Sequence, residues 1–235
     1  MSSAQKVVIV TGASQGIGAE IVKAFRGLDY QVVATSRSIK ASDDPGVLTL
    51  AGDIGEPGTA QRILATTLER FGRIDTLVNN AGIFIGKPFT ENTLDDYQAV
   101  MNVNMAGFYH ITQLVLAQMQ KQGHGHVVTV TGSIENGSQG GNTALAALTK
   151  GGLNAATRVL AIEYAQHGIR VNAVAPGVIR TPMHSEANHT MLASFHPLGR
   201  IGEAHEVADA IVFLDSAKFV TGEILHVDGG RHAGS

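Results

Sequence analysis

The chain predicts a single α/β domain built on a doubly wound, seven-stranded parallel sheet with helices on both faces. Three observations carry this expectation. Short apolar runs alternate with longer, helix-periodic stretches along the whole length. The short runs are continuously apolar rather than alternating, as strands covered on both faces are. A glycine-rich turn joins the first run to the first helical stretch, and right-handed crossovers then place a ligand site at the carboxyl ends of the strands.

The elements follow in order. Strands are expected at residues 6–11, 31–36, 47–51, 74–79, 126–131, 169–175 and 224–227, and helices at about 16–28, 58–71, 94–121, 143–167 and 203–216. One crossover is short. Only residues 37–46 separate the second and third strands, where a parallel crossover usually takes about a dozen or more. A loop or a single turn is expected there, leaving one edge of the sheet's ligand site exposed.

Composition bounds the reading. The 235 residues suit one domain over 1–235, and no repeat, charge run or low-complexity tract marks a boundary. A net charge of −3 gives no reason to expect nucleic acid. The absence of cysteine excludes a disulfide framework and thiol chemistry. No apolar run approaches the ~18 residues of a membrane span. The first six residues lead straight into a strand with no separate apolar segment for secretion, so a cytoplasmic location is expected.

The chemistry begins at Thr11-Gly12-Ala13-Ser14-Gln15-Gly16-Ile17-Gly18. A glycine-rich turn alone is a weak signal, since structural loops share it. Here it follows a strand and opens a helix, the context that nucleotide binding requires. Its glycines let backbone approach a pyrophosphate, and the helix N-terminus offers unpaired N–H groups.

The spacing resembles the Thr-Gly-x-x-x-Gly-x-Gly of the short-chain dehydrogenase/reductase family, and the resemblance runs on to the C-terminus. Asp53-Ile54 resembles the family's adenine contact, although Asp53 also suits a simple turn before Gly55. Asn79-Asn80-Ala81-Gly82 is similar to its most recognisable tetrapeptide. Asn104 matches the asparagine that helps hold a relay water, and Ser133 the serine that hydrogen-bonds the substrate oxygen. Read without the family, these are a locally bonded helix asparagine and a loop serine. Pro176, Gly177, Ile179 and Thr181 resemble the segment facing nicotinamide and pyrophosphate, and the stretch 222–230 the closing strand. The resemblance implies a Rossmann-like fold. It also implies cofactor binding by Gly12, Ser14, Gln15, Gly16, Ile17, Gly18, Asp53, Ile54, Asn80, Ala81, Gly82, Lys150, Pro176, Gly177, Ile179 and Thr181, and catalysis by Asn104, Ser133 and Lys150.

One departure dominates. The family places a proton-donating tyrosine one helical turn before its lysine, and here that position is Ala146. A methyl group has no proton to give. Lys150 keeps its ribose-binding duty but loses the phenol whose pKa it would lower. Losing a general acid costs about 10²–10⁴-fold in rate, roughly 3–5 kcal/mol. Replacement donors in the sequence are His184, Glu135 beside Asn136, or a water held by Asn104 and Lys150.

Two readings of function follow. One is an NADP-dependent oxidoreductase with altered proton transfer, acting on a small carbonyl, an alcohol or an activated double bond. The other is a nucleotide-binding pseudoenzyme whose cofactor state is read by a partner. Cofactor choice is read from Ser36-Arg37-Ser38, with no acid until Asp43. The forked donors of Arg37 and the hydroxyl of Ser36 suit a 2′-phosphate, so NADP(H) is expected over NAD(H). Against this, NADP-using relatives often carry Arg or Lys where Gln15 stands, and Arg37 could simply point into water. The ten histidines lack a metal-ligand pattern and are read as surface residues, with no metal site. Met191, Leu192 and Phe195 in the loop 184–196 suggest a small, partly apolar substrate. The family's habit of pairing its two long helices implies a homotetramer, and the apolar stripe Leu153, Val159, Leu160 and Ile162 reads as core and subunit interface.

Overall fold

A computed structural model of the chain describes residues 5–134, 141–183 and 186–233. Seven strands form its sheet: β1 (Val7–Thr11), β2 (Gln31–Ser36), β3 (Val47–Ala51), β4 (Thr76–Asn79), β5 (Gly125–Val130), β6 (Ile169–Pro176) and β9 (Ile224–Val227). Two-residue strands β7 (Ile179–Arg180) and β8 (Gly202–Glu203) pair separately. The sheet order is β3-β2-β1-β4-β5-β6-β9, and every adjacent pair is parallel. The chain reverses its direction of travel between β1 and β4. That switch point opens a crevice at the strands' carboxyl ends.

Strand side chains alternate between two cores. Val7, Ile9, Leu77 and Val127 face α2 (Pro57–Phe71), α4 (Gly107–Gln122) and α5 (Ala144–Tyr164), whose Ile63, Ile111, Val115, Met119 and Ala161 complete one apolar layer. Val8, Val10, Val78 and Val128 face α1 (Gly16–Gly27) and α7 (Ala204–Ser216), meeting Ile21, Phe25, Val207, Ile211 and Leu214. Both faces are therefore dry, which is why the strands read as unbroken apolar runs. Among the described residues the remaining α-helices are α3 (Leu94–Val100) and the short α6 (His189–Ala193).

The short crossover is a loop, as its length requires. Asp44 shapes it, accepting from the Gly46 N–H at 2.8 Å while Arg26 of α1 grips its carboxylate through Nε at 2.9 Å.

The helix expected over 94–121 is interrupted. Met101–Ala106 forms a π-helical turn between α3 and α4. Its cause is tertiary: Asn104 turns inward, accepting from the Ile83 N–H at 2.9 Å and donating to the Ile83 carbonyl at 3.1 Å. Such single π-turns recur at functional sites, where the extra residue redirects a side chain.

The histidines correct the surface reading at two positions. His126 and His196 are 3% and 4% exposed, and each is held by hydrogen bonds to both ring nitrogens. Among the described residues no helix is long and apolar enough to cross a membrane.

Candidate active site

The turn between β1 and α1 is stitched to the end of β4. Thr11 Oγ1 accepts from the Asn80 and Ala81 N–H groups, both at 3.0 Å. Asn80 Nδ2 donates to the carbonyls of Thr11 and Gly12 at 3.0 and 3.1 Å. This closeness demands glycine. Gly12 has φ +66°, and a Cβ there would lie 2.8 Å from the Ala81 Cα; a Cβ on Gly18 would run into the Gly12 carbonyl. The turn thus keeps its backbone exposed and aims the α1 N-terminus into the crevice.

A cavity of about 710 Å³ runs along the strand ends, and every cofactor-binding and catalytic residue that the family resemblance implied borders it. The Gly12, Ser14, Gln15, Gly16, Ile17 and Gly18 turn borders it, with Asn80, Ala81 and Gly82 alongside. Ser36, Arg37, Asp53 and Ile54 border the β2–β3 end. Asn104, Ser133, Ala146 and Lys150 border the other, and Pro176, Gly177, Ile179 and Thr181 line the same cavity.

At the β2 end, Ser36 Oγ is buried and has no hydrogen-bond partner among the described residues. A buried hydroxyl left unpaired is costly. Thr129 Oγ1, also on the cavity, is orphaned in the same way. Arg37 is exposed and makes no ion pair among the described residues. Asp53 makes the turn that the sequence allowed, its Oδ1 accepting from the Gly55 N–H at 3.0 Å.

At the other end, Ala146 sits on α5 one turn before Lys150, 2% exposed and facing the cavity. Lys150 Nζ donates to the Thr131 carbonyl. Burial lowers the lysine to about 8, because desolvation disfavours its charge. The Asn104 amide is spent on Ile83 and on Thr149 Oγ1 at 3.2 Å, so its side chain ties the π-turn to the segment after β4 and to α5.

Ser133 is fixed by its backbone, whose N–H donates to the Pro176 carbonyl at 2.9 Å. Its hydroxyl donates to Asp228 Oδ2 at 2.5 Å. The same oxygen accepts from the His232 N–H and lies 2.9 Å from His232 Nδ1. Burial pushes the Asp228 carboxyl up, but its bonds to Ser133 and His232 outweigh that and hold it below the usual carboxylate range. Sequence reading did not single out Asp228 and His232, which sit behind Ser133. Their one signal was membership of the closing segment 222–230 and the turn after it.

His196 anchors the loop over the cavity. Its Nε2 accepts from the Val178 N–H at 3.0 Å while Nδ1 faces the Leu192 carbonyl at 3.0 Å, a pattern that fixes a neutral ring. Desolvation lowers its pKa accordingly. Glu135, Asn136 and His184, the donors weighed from sequence, lie outside the described residues.

A family model described as Enoyl-(Acyl carrier protein) reductase matches residues 12–232. The chain belongs to the short-chain dehydrogenase/reductase family. It is thus a member of an oxidoreductase family with the Rossmann-like fold expected. It is 37% identical to an L-fucose dehydrogenase of Mus musculus, over 97% of this chain and 89% of that one. A solved structure titled ElxO with NADP bound superimposes with a TM-score of 0.91 at 31% identity, covering 97% and 99% of the two chains. A 3-ketoacyl-(acyl-carrier-protein) reductase from Brucella melitensis complexed with NADH gives a TM-score of 0.91 at 29% identity, covering 98% and 100%.

Proposed function

We propose that this short-chain dehydrogenase/reductase transfers a hydride between NADP(H) and a small carbonyl or alcohol, with proton handling altered by Ala146. The observation that carries the proposal is the single cavity uniting the glycine turn, the orphaned Ser36 hydroxyl and the Ser133–Lys150 end. A purely structural crevice has no use for a buried unpartnered hydroxyl beside an exposed arginine.

The residues fit a dinucleotide. The α1 N-terminus and its glycines would hold the pyrophosphate, Asp53 and Ile54 would border the adenine, and Lys150 would hold the nicotinamide ribose. When bound, the nucleotide supplies or accepts the hydride. Similar structures carry NADP in one case and NADH in the other, so the preference for NADP(H) rests on Ser36, Arg37 and Ser38. Ser133 would orient the reacting oxygen, and Lys150 would add positive potential nearby. Met183, Met191, Leu192 and Phe195 give the substrate side an apolar wall, which suits a small, partly apolar molecule.

A homotetramer acting in the cytoplasm completes the proposal. On α5, Leu148, Val159 and Ile162 are exposed, Ile162 to 80%. An apolar face of that kind is an interface in waiting. Ala146 favours one second reading, a nucleotide-binding protein that signals its cofactor state to a partner without turnover.

The test is calorimetric titration with NADPH, NADP, NADH and NAD, run beside a reduction and oxidation screen over carbonyls and alcohols. Turnover with NADP(H) supports the oxidoreductase. Tight binding with no turnover across the panel supports the second reading, and failure to bind any of the four removes both.

A further inference from the structure

The Ser133–Asp228 contact changes what Ser133 can do. A hydroxyl carries one proton. With that proton given to Asp228 at 2.5 Å, the oxygen offers the cavity only lone pairs, and a substrate oxygen meets no donor there. Ser133 can give that proton to a substrate and keep its contact with Asp228 when Asp228 is itself protonated and donates back to Ser133 Oγ. The group placed to protonate Asp228 is His232, with Nδ1 2.9 Å from the same Oδ2 and a side chain 42% exposed. His226 stacks on the His232 ring with centroids 3.8 Å apart.

We propose that His232 and Asp228 form a proton relay that works through Ser133 and substitutes for the tyrosine absent at position 146. The inference rests on the oxidoreductase reading above. In the reducing direction the balance is as follows. The substrate oxygen, gaining negative charge as its carbonyl is reduced, takes the Ser133 proton. Ser133 Oγ takes one from Asp228 Oδ2, which has first accepted it from Nδ1 of the His232 imidazolium. The net change is one O–H bond formed on the product and one N–H bond broken on His232, left neutral with its proton on Nε2. Solvent then reprotonates the exposed ring. Alcohol oxidation runs the same transfers backwards.

The surroundings agree with this route. The Gly230 N–H donates to the other carboxylate oxygen at 3.0 Å, which leaves Oδ2 to Ser133 and His232. His196 packs near Asp228 but is held neutral by its own bonds, so it is no competing donor. Arg231 lies over the Phe195 ring at 5.7 Å and borders the cavity. Its fixed charge helps keep Asp228 ionised between turnovers. Asp228 and His232 touch no substrate and are positioning residues; Ser133 alone makes that contact.

The experiment compares the wild type with Asp228→Asn and His232→Ala in the full chain. NADPH affinity, single-turnover reduction of the best carbonyl from the screen, and rescue by free imidazole are measured. The His232 ring nitrogens are also followed by NMR in the cofactor-free protein. The relay predicts NADPH affinity within about twofold of wild type and a rate loss of about tenfold or more in both variants. Imidazole restores His232→Ala but not Asp228→Asn, and Asp228→Asn shifts the His232 nitrogen resonances. Rates within about threefold of wild type, or a His232→Ala loss that imidazole leaves untouched, overturn the relay while the oxidoreductase reading stands. His232 resonances indifferent to Asp228→Asn overturn it too. A wild type that binds NADPH but reduces nothing overturns both the oxidoreductase reading and the relay.

Discussion

His126 Nδ1 lies 3.1 Å from Asp215 Oδ1 at the sheet end opposite the cavity. Asp215 also accepts from Tyr30 OH and Thr76 Oγ1, both at 2.7 Å, and Asn172 Nδ2 faces His126 Nε2 at 3.1 Å. Asn172 donates to Nε2, so Nδ1 carries the proton and the ring is neutral. Burial drives its pKa down to about 4, more than the aspartate raises it. Hydrogen bonds from His126, Thr76 and Tyr30 outweigh burial at Asp215 and hold that carboxyl well below its usual range.

The pH dependence of stability follows. The unfolded chain protonates His126 near its ordinary 6.5, the folded chain only near 4. Stability from the neutral ring is therefore complete above about 6.5 and falls as pH drops through that window, by up to about 1.4 kcal/mol per pH unit. Asp215 adds a further loss below about 4, where the unfolded carboxylate takes a proton first. Denaturant melts at pH 7.5, 6 and 5 check this. A midpoint unchanged across the three, or a slope that survives His126→Gln, would show that His126 is not the group responsible.

Arg37→Ala should weaken NADP binding about tenfold or more and leave NAD nearly unchanged, since only the 2′-phosphate meets the guanidinium. Ser36→Ala should cost less, about 1 kcal/mol, because it removes one hydroxyl donor and relieves an orphaned group. Titration of both cofactors against both variants measures this. Equal losses for NAD and NADP in Arg37→Ala would mean that Arg37 serves the fold and not the phosphate.

Ile162→Glu on the outer face of α5 should dissociate the assembly at micromolar concentration, because a carboxylate buried there has no partner. Folding should persist, as Ile162 is 80% exposed within one chain. Light scattering on the wild type and the variant reads the outcome. A wild type that is already monomeric ends the tetramer proposal.

The strands were legible because burial on both faces leaves each as an unbroken apolar run, and β2, β3 and β9 fall where the residues place them. Strand ends were less legible. β4 begins at Thr76 rather than at 74, since ladder hydrogen bonds and not apolarity decide a boundary. The π-turn at Met101–Ala106 left no trace in the sequence, because its cause is the bond between Asn104 and Ile83 from another element. The tight turn between β1 and α1 was readable because its glycines answer local geometry. The Ser133–Asp228 contact was not, since 95 residues separate the two and Asp228 looks like an ordinary turn aspartate.

Ala146→Tyr should raise NADPH-dependent carbonyl reduction by about two orders of magnitude. Ala146 is buried, 2% exposed, yet lines the cavity, so the new ring points into that space, and the stability loss should stay below the about 1–3 kcal/mol of true overpacking. The phenol would share the helix face of Lys150, as residues i and i+4 do. Its pKa would fall beside the ammonium. It would then give the substrate oxygen a proton directly, and the variant should lose its dependence on His232. The double variant Ala146→Tyr/His232→Ala tests that independence, since it should match Ala146→Tyr within about twofold if the two donors are alternatives. A stable, cofactor-binding Ala146→Tyr variant with no gain over a broad carbonyl panel would count against the oxidoreductase proposal itself.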